Sequence, residues 1–196
     1  MNLVFESERL LFRPLSEADI DLAIDQWTDP DVVKYAADRI YTEEELAAEM
    51  PTVIRRCAGG CIGIWCLIDK VTQEKLGSAL LLPMPVELDD WDWDLVVGDL
   101  IPEGDIEIGF ILKKSAWGKG YATEACKRLL KFAFEVSPLE EVVAVIDAEN
   151  VASRKVLEKS GLVYEGLVRA YTEKYPGFRI TRQQWKQDNP PDNEAC

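Results

Sequence analysis

The stretch that most constrains the fold runs from residue 105 to residue 135, because its pattern changes around two glycines. Residues 105–112 mix β-branched and aromatic side chains, which is typical of a strand. Residues 121–135 place apolar side chains three and four positions apart, which predicts a helix. Gly118 and Gly120 lie between the two patterns. The stretch therefore predicts a strand, a tight glycine turn and a helix.

This turn predicts an anion-binding site, because glycines let the backbone approach a ligand and the first helical N–H groups point outward. A tight connection that binds nothing is the alternative, and these glycines alone leave it open. A Walker loop requires Ser or Thr after its lysine, but Gly120 follows Lys119. A dinucleotide fingerprint requires Gly or Ala at Thr123 and normally lies in the first βα unit of its domain.

The lack of histidine restricts the possible chemistry. The chain has 196 residues, with 36 Asp and Glu against 22 Lys and Arg and a formal charge of −14. Nucleophiles activated by histidine are ruled out, and a zinc site would need thiolates and carboxylates alone. Five cysteines form no Cys-x-x-Cys pair, so we expect that the protein binds no metal. We also expect its thiols to be reduced, as they are in the cytoplasm. The charge argues against nucleic-acid binding and favours a cationic partner.

The order of the patterns predicts one α+β domain over residues 1–187 and a disordered tail at 188–196. Helices are expected after the N-caps Ser16, Thr42 and Asn150, in addition to the helix that follows the glycine turn. We expect no signal peptide and no membrane span. The predicted strands are 8–15, 61–68, 76–82, 105–112, 141–147, 162–170 and 178–186, with the last two joined around Pro176 and Gly177.

Four motifs lie in a fixed order along the chain. They are Glu8-Arg9-Leu10-x-x-Arg13-Pro14-Leu15, Trp27-x-Asp29-Pro30-x-Val32, the segment 106–125 around the glycine turn, and the segment 150–162. Together they resemble the GNAT superfamily, most closely its RimJ/RimL-like branch of N-acetyltransferases, over residues 7 to 186. The family's Gln or Arg before the glycines is replaced by Trp117. The resemblance implies a single-domain, mostly antiparallel mixed sheet with a splayed central parallel pair and flanking helices.

The resemblance also implies that acetyl-coenzyme A binds where the central strands splay apart. The pyrophosphate would lie on the N–H groups of the glycine turn, and the pantetheine arm would pair with the central strand. For Arg154, as for Lys155 beside it, the alternative is an exposed, solvated helix face. The residues implied to contact the cofactor are Phe110, Ile111, Leu112, Trp117, Gly118, Lys119, Gly120, Tyr121, Ala122, Thr123, Asn150, Ser153 and Arg154.

The implied activity is transfer of an acetyl group to a primary amine by direct attack on the thioester. The acceptor would be a protein N-terminal α-amine or a small-molecule amine. Glu107 is the predicted base, and its alternative role is a structural acid within the sheet. Ser153 is predicted to hydrogen-bond the sulfur, because Glu158 stands near the position where some relatives have a tyrosine acid. Two other classes remain, an acetyl-coenzyme A sensor without catalysis and a nucleotide-binding oxidoreductase, which Thr123 disfavours.

An acidic segment at residues 87–105 has eight carboxylates and the tryptophans Trp91 and Trp93. Clustered charge of one sign attracts an oppositely charged ligand, so this segment predicts a funnel for a cationic amine. A solvated loop is the alternative interpretation. The sequence identifies neither the acceptor nor the oligomeric state, and a monomer or a homodimer is expected.

Overall fold

The computed structural model of the protein describes residues 2–56, 62–88 and 103–190. Within these ranges one sheet contains eight strands in the order β1-β2-β3-β4-β5-β6-β8-β7. All neighbouring strands are antiparallel except β5 and β6, which are parallel. The strands are β1 (Phe5–Glu6), β2 (Leu10–Pro14), β3 (Gly63–Asp69), β4 (Lys75–Pro83), β5 (Ile106–Leu112), β6 (Glu141–Val145), β7 (Val163–Ala170) and β8 (Glu173–Thr181).

The helices begin at the predicted caps. The Thr42 hydroxyl accepts a hydrogen bond from the Glu45 N–H, and Ser16 forms a capping box with Asp19 in the short 3-10 turn before the first helix. No helix among the described residues is both long and apolar enough to cross a bilayer. The helices are α1 (Ile20–Trp27), α2 (Pro30–Val33), α3 (Glu43–Arg55), α4 (Tyr121–Lys131), α5 (Val151–Lys159) and α6 (Arg182–Asp188).

The main core lies between the sheet and α4. Ile106, Ile108 and Leu112 of β5 are buried in the same cluster as Ala125 and Leu129 of α4. Their spacing explains this packing, because alternate residues of a strand share one face and residues four apart share one side of a helix. The core therefore fixes α4 and the glycine turn at its start against β5. The predicted fold, a mixed and mostly antiparallel sheet with one parallel pair, is confirmed.

The predicted end of the chain was wrong in two places. The β7–β8 turn lies at Tyr171 and Thr172, and Pro176 and Gly177 lie inside β8 instead of forming the turn. Pro176 is tolerated there because the β6–β8 ladder ends at the pair Val145–Gly177, so its missing N–H interrupts no bond inside that ladder. Its C=O accepts a hydrogen bond from Ile146 N–H at 3.3 Å. The predicted strand 178–186 stops at Thr181, whose side chain caps α6 through a capping box.

Candidate active site

A cleft of about 1330 Å³ opens where β5 and β6 separate. The two strands share one register pair, Glu107 opposite Val143, and diverge after it. Residues of β5, the glycine turn, the first turns of α5 and the region from α1 to α3 all line the cleft. The predicted splay thus forms a groove whose floor begins at Glu107.

The splay leaves backbone groups of β5 facing the cleft. Lys113 N–H donates to Leu76 C=O at 3.0 Å and Met84 N–H donates to Asp105 C=O at 2.9 Å, so odd-numbered positions of β5 bond to β4. Since antiparallel pairing alternates, the backbone groups of Phe110 and Leu112 point the other way. These amides form an edge that an extended ligand with amide groups can join.

Ile111 lies between Phe110 and Leu112 and was also predicted to pair with the pantetheine arm, but its backbone groups point toward β4. Its C=O also accepts a hydrogen bond from the buried Gln26 side chain at 2.6 Å. The Trp117 indole N–H donates to Leu112 C=O at 2.8 Å, so Trp117 closes the end of the free edge. The backbone of Phe110 is therefore the part of this edge best suited to hold a ligand.

The glycine turn forms the end of the cleft that lies away from Glu107. Gly118 and Gly120 have φ of +72° and +83°, values that L side chains rarely adopt. The first hydrogen bond of α4 runs from Glu124 N–H to Gly120 C=O at 3.1 Å, so the N–H groups of residues 121–123 have no partner within the helix. Together with the helix dipole, they favour an anionic group such as a phosphate.

Most of the residues predicted to contact phosphate lie at this end of the cleft. Lys119 is the exception, since its side chain is exposed and it is absent from the cleft lining. The residues of the turn that line the cleft are Trp117, Gly118, Gly120, Tyr121, Ala122 and Thr123.

Side chains from the residue before β2 and from the end of β3 hold the glycine turn in place. The Arg9 Nε donates to Glu124 at 2.6 Å, and its Nη1 donates to Lys119 C=O at 3.0 Å. The Tyr121 hydroxyl donates to Asp69 at 2.7 Å. Hydrogen bonds from the Thr72 backbone N–H, from this hydroxyl and from the Val71 N–H lower the pKa of Asp69 to about 2. The Glu8-Arg9 motif at the start of the chain therefore supports the anion site without lining it.

The start of α5 brings two predicted residues together and separates a third. The Asn150 side chain accepts a hydrogen bond from Ser153 N–H at 3.0 Å, and both residues line the cleft. Arg154 does not line it, because its guanidinium lies over the Tyr164 ring at 5.1 Å from the ring centroid. Lys155 lines the cleft instead, as does Lys159 at the end of the helix, and Lys155 is the one beside the start of α5.

Glu107 lies partly buried in the floor of the cleft. Burial raises the pKa of its carboxyl from 4.5 to about 7, and hydrogen bonds from the Tyr171 hydroxyl and the Val145 backbone N–H limit this rise. The Tyr171 hydroxyl donates directly to one carboxyl oxygen. A carboxyl with this pKa exchanges protons near neutral pH, which is the property required of a general base.

Tyr171 was missed by the sequence prediction. It lines the cleft from the β7–β8 turn, and its backbone N–H donates to Pro85 C=O at 2.9 Å. The turn contains Tyr-Thr instead of the Asn-Gly or Asp-Gly expected for a two-residue hairpin, whereas Pro-Gly occurs five residues later. The sequence signal that could have identified Tyr171 is its position directly after the predicted strand 162–170.

The remaining wall of the cleft is mainly aromatic and apolar. The Trp27 and Tyr41 rings meet edge to face with centroids 5.8 Å apart. Asp31 is an acid in this wall, and it is paired with Lys114. The other wall residues that matter here are Tyr35, Leu46, Met50 and Val53, beside the carboxylate of Glu49.

Most of the predicted acidic funnel, residues 89–102 with both of its tryptophans, lies outside the described residues. Three of its acids, Glu87, Glu103 and Asp105, are described, and two of them are paired with arginines. Glu87 accepts from Arg169 at 2.7 Å, and Asp105 pairs with Arg179 at 3.0 Å. Across the described ranges, no cluster of three His, Cys, Asp or Glu is arranged to hold a metal ion.

A family model described as an acetyltransferase (GNAT) domain matches residues 9–163. The chain belongs to the GNAT acetyltransferase family. A curated relative, the uncharacterized N-acetyltransferase p20 of Bacillus licheniformis, is 30% identical over 175 residues and 89% of each chain. The FsC-acetyl coenzyme A-N(2)-transacetylase of Aspergillus fumigatus is 28% identical over 192 residues, 93% of this chain and 78% of that protein. The predicted enzyme class is confirmed.

Solved GNAT structures have the same fold. The aminoglycoside acetyltransferase AAC(6')-Ib in complex with coenzyme A and kanamycin superposes with a TM-score of 0.71 at 18% identity, covering 92% of this chain and 99% of that one. The predicted co-substrate of this GNAT chain is acetyl-coenzyme A, and the cleft fits it. The glycine turn offers N–H groups to a pyrophosphate, and the free edge of β5 offers amides to the pantetheine arm.

Proposed function

We propose that the protein is an acetyl-coenzyme A-dependent N-acetyltransferase of the RimJ/RimL-like branch that acetylates a primary amine. The observation that carries this proposal is the position of Glu107. Its carboxyl lies where β5 and β6 part, in the same cleft as the glycine turn, and has a pKa of about 7. A proton acceptor is thus available beside the groove that suits the donor.

The part of the cleft that binds acetyl-coenzyme A would use backbone groups for most of its contacts. The N–H groups of the glycine turn and of residues 121–123 would hold the pyrophosphate, with Lys155 as a nearby cation. Phe110 would hold the pantetheine amides, and Asn150 and Ser153 line the cleft on the α5 side. When bound, the thioester supplies an activated acetyl group.

Glu107 would take the proton that the amine must lose before it attacks. For an α-amine with a pKa of about 7.7 to 8.0, deprotonation at neutral pH costs roughly 1 kcal/mol, against about 4 to 5 kcal/mol for a lysine side chain. The neutral amine forms a C–N bond to the acetyl carbon while the C–S bond breaks. The sulfur leaves as a thiolate, which Ser153 is proposed to stabilise with a hydrogen bond, and the second proton lost by the amine nitrogen ends on this sulfur. Overall, an ammonium and a thioester give an amide, a thiol and one released proton.

We propose that the acceptor is an amine that is protonated in solution and attached to an apolar or aromatic group. The described wall around Trp27, Tyr41 and Met50 supports the apolar part, because burying apolar area there is favourable. An aromatic face also attracts an ammonium group. The cytoplasm is the proposed location, and the buried thiols of Cys66 and Cys126 suit a reducing compartment.

The test is release of free coenzyme A thiol from acetyl-coenzyme A with a panel of amines. The panel would contain peptides with a free α-amine, peptides with an acetylated N-terminus and a free lysine side chain, and small amines with and without an aromatic ring. We expect turnover of at least one α-amine or aromatic amine. Glu107→Gln should slow a lysine-like acceptor more than an α-amine, because the lysine depends more on a base.

A calorimetric titration with coenzyme A separates the alternatives. Tight binding without turnover of any amine would favour the sensor class over the enzyme. Equal, small effects of Glu107→Gln on both acceptor types would return Glu107 to a structural role. Binding of a nicotinamide dinucleotide in preference to coenzyme A would contradict the donor site itself.

A further inference from the structure

The turn between β7 and β8 adopts an uncommon backbone conformation. Tyr171 and Thr172 both have positive φ, 51° and 65°, although neither is glycine. Two-residue hairpin turns of this kind prefer Asn-Gly or Asp-Gly, because side chains with a Cβ are disfavoured in the left-handed region. Such conformations persist where the surrounding structure fixes them, and they concentrate at functional sites.

This turn is fixed from outside the hairpin. Tyr171 N–H donates to Pro85 C=O at 2.9 Å, and Thr172 N–H donates to Val86 C=O at 3.0 Å. Pro85 and Val86 follow the end of β4 after one residue, Met84, and β4 places Leu82 opposite Glu107. The turn and the carboxyl are therefore attached to the same strand.

The turn also has buried packing beneath it. Ala170, the last residue of β7, is fully buried in a cluster with Met84 and Val143. Val143 is the single β6 residue in register with Glu107. The side chain of Tyr171 packs against this cluster, and its hydroxyl reaches the Glu107 carboxyl. The contact thus joins a rigid turn to the point where the strands part.

Among the described residues, the groups that shift the pKa of Glu107 besides burial are the Tyr171 hydroxyl and the Val145 backbone N–H. Tyr175 lies in the same cluster, and Arg179 of β8 is in register with Val143. The ionisable side chains of the wider cleft lining include Asp31, Lys34, Tyr41, Glu49, Asp147 and Lys155. Arg179 is already surrounded by carboxylates, so its charge is largely balanced. Its partners are Asp105, Glu141 and Glu165.

We propose that Tyr171 is a positioning residue that holds the Glu107 carboxylate in the orientation that accepts the proton of the amine. The fixed Tyr171–Thr172 turn sets the position of the hydroxyl, and the hydroxyl sets the carboxylate. This inference rests on the proposed function, because it assumes that Glu107 is the base. It adds a residue from the far end of the chain to the site.

The first test compares Tyr171→Phe with Tyr175→Phe, which removes a hydroxyl from the same cluster but not from the cleft lining. For Tyr171→Phe we expect kcat to fall about tenfold with little change in the KM for acetyl-coenzyme A. The pKa seen in the pH profile of kcat/KM should rise by about one unit, because the lost hydrogen bond favoured the ionised carboxyl. Tyr175→Phe should change neither quantity. An unshifted profile in Tyr171→Phe would overturn the proposal.

The second test needs no substrate. The full chain labelled with 13C in its glutamate side chains is titrated by NMR, with Glu107→Gln used to assign the Glu107 signal. Tyr171→Phe should move the Glu107 midpoint to higher pH, while Tyr175→Phe should leave it in place. A midpoint that is the same in Tyr171→Phe and the wild type would contradict the positioning role, whatever the enzyme acetylates.

A double variant separates failure of this inference from failure of the proposed function. If Tyr171 acts through Glu107, adding Tyr171→Phe to Glu107→Gln should slow turnover no further. A further loss of fivefold or more would show an independent role and overturn the inference. If Glu107→Gln alone retains full activity, the base assignment is wrong, and the NMR midpoint still decides whether Tyr171 holds the carboxyl.

Discussion

The guanidinium carbon of Arg9 lies 4.4 Å from the centroid of the Tyr121 ring, so a residue just before β2 contacts the first residue of α4. The same guanidinium donates to the Glu124 carboxylate and to the Lys119 carbonyl, two residues that flank Tyr121 in sequence. Arg9 thereby connects three residues of the glycine turn and its helix. A ligand that needs the turn preformed should therefore depend on Arg9 without touching it.

We expect Arg9→Met to weaken coenzyme A binding about tenfold, because the turn must then be ordered during binding. Isothermal titration calorimetry of the folded variant measures the change. Lys131→Met is the control, since it removes an exposed ion pair with Glu135 at the other end of the helix. Equal affinities of Arg9→Met and the control would contradict a supporting role for Arg9.

A second prediction concerns the glycine turn itself. Gly120→Val should nearly abolish coenzyme A binding while the domain stays folded, because Gly120 has φ of +83° and its backbone faces the phosphate end of the cleft. Gly166→Val separates backbone strain from loss of the site, because Gly166 has φ of +101° and lies in β7, with nothing within 4 Å of an added Cβ. Calorimetry and thermal unfolding of both variants give the answer. Unchanged affinity in Gly120→Val would refute the phosphate site.

A third prediction compares neighbouring residues of α5. Lys155→Ala should weaken coenzyme A binding three- to tenfold, and the effect should shrink as salt rises, because Lys155 lines the cleft as a charge. Arg154→Ala should leave the affinity unchanged and lower the melting temperature, since Arg154 stacks on Tyr164 and Phe178. Weaker coenzyme A binding in Arg154→Ala together with unchanged affinity in Lys155→Ala would mean that the helix is rotated in solution relative to this structure.

Local pattern was sufficient to predict the elements that form the donor site. The strand before the glycine turn, the α4 helix after it and the Asn150 cap all depend on residues close in sequence. The direction of Arg154 was harder to predict. Adjacent helical residues differ by about 100°, so a small error in the helix position exchanges Arg154 with Lys155.

The features that make the site chemically active depend on contacts between distant residues. Glu107 was a candidate base from its place in the strand, but its pKa of about 7 follows from burial that the sequence does not reveal. Tyr171 contacts Glu107 across 64 residues of sequence. Its turn is held by Pro85, and the stronger Pro-Gly signal at residue 176 pointed to another position.

The last prediction is that Glu107→Gln stabilises the protein at pH 8. The Glu107 pKa is raised from 4.5 to about 7 in the folded state, so between these values the folded protein keeps a proton that the unfolded chain has lost. Stability contributed by this group is therefore greatest below pH 4.5 and falls as the pH rises to about 7. Glutamine keeps the shape but carries no charge, so the variant avoids this cost, which is about 1 to 3 kcal/mol. Urea unfolding at pH 5 and pH 8 should show a gain that is larger at pH 8, whereas Glu135→Gln, which alters an exposed carboxylate, should show no such increase. A gain of the same size at both pH values would mean that the Glu107 carboxyl is not desolvated in the folded protein.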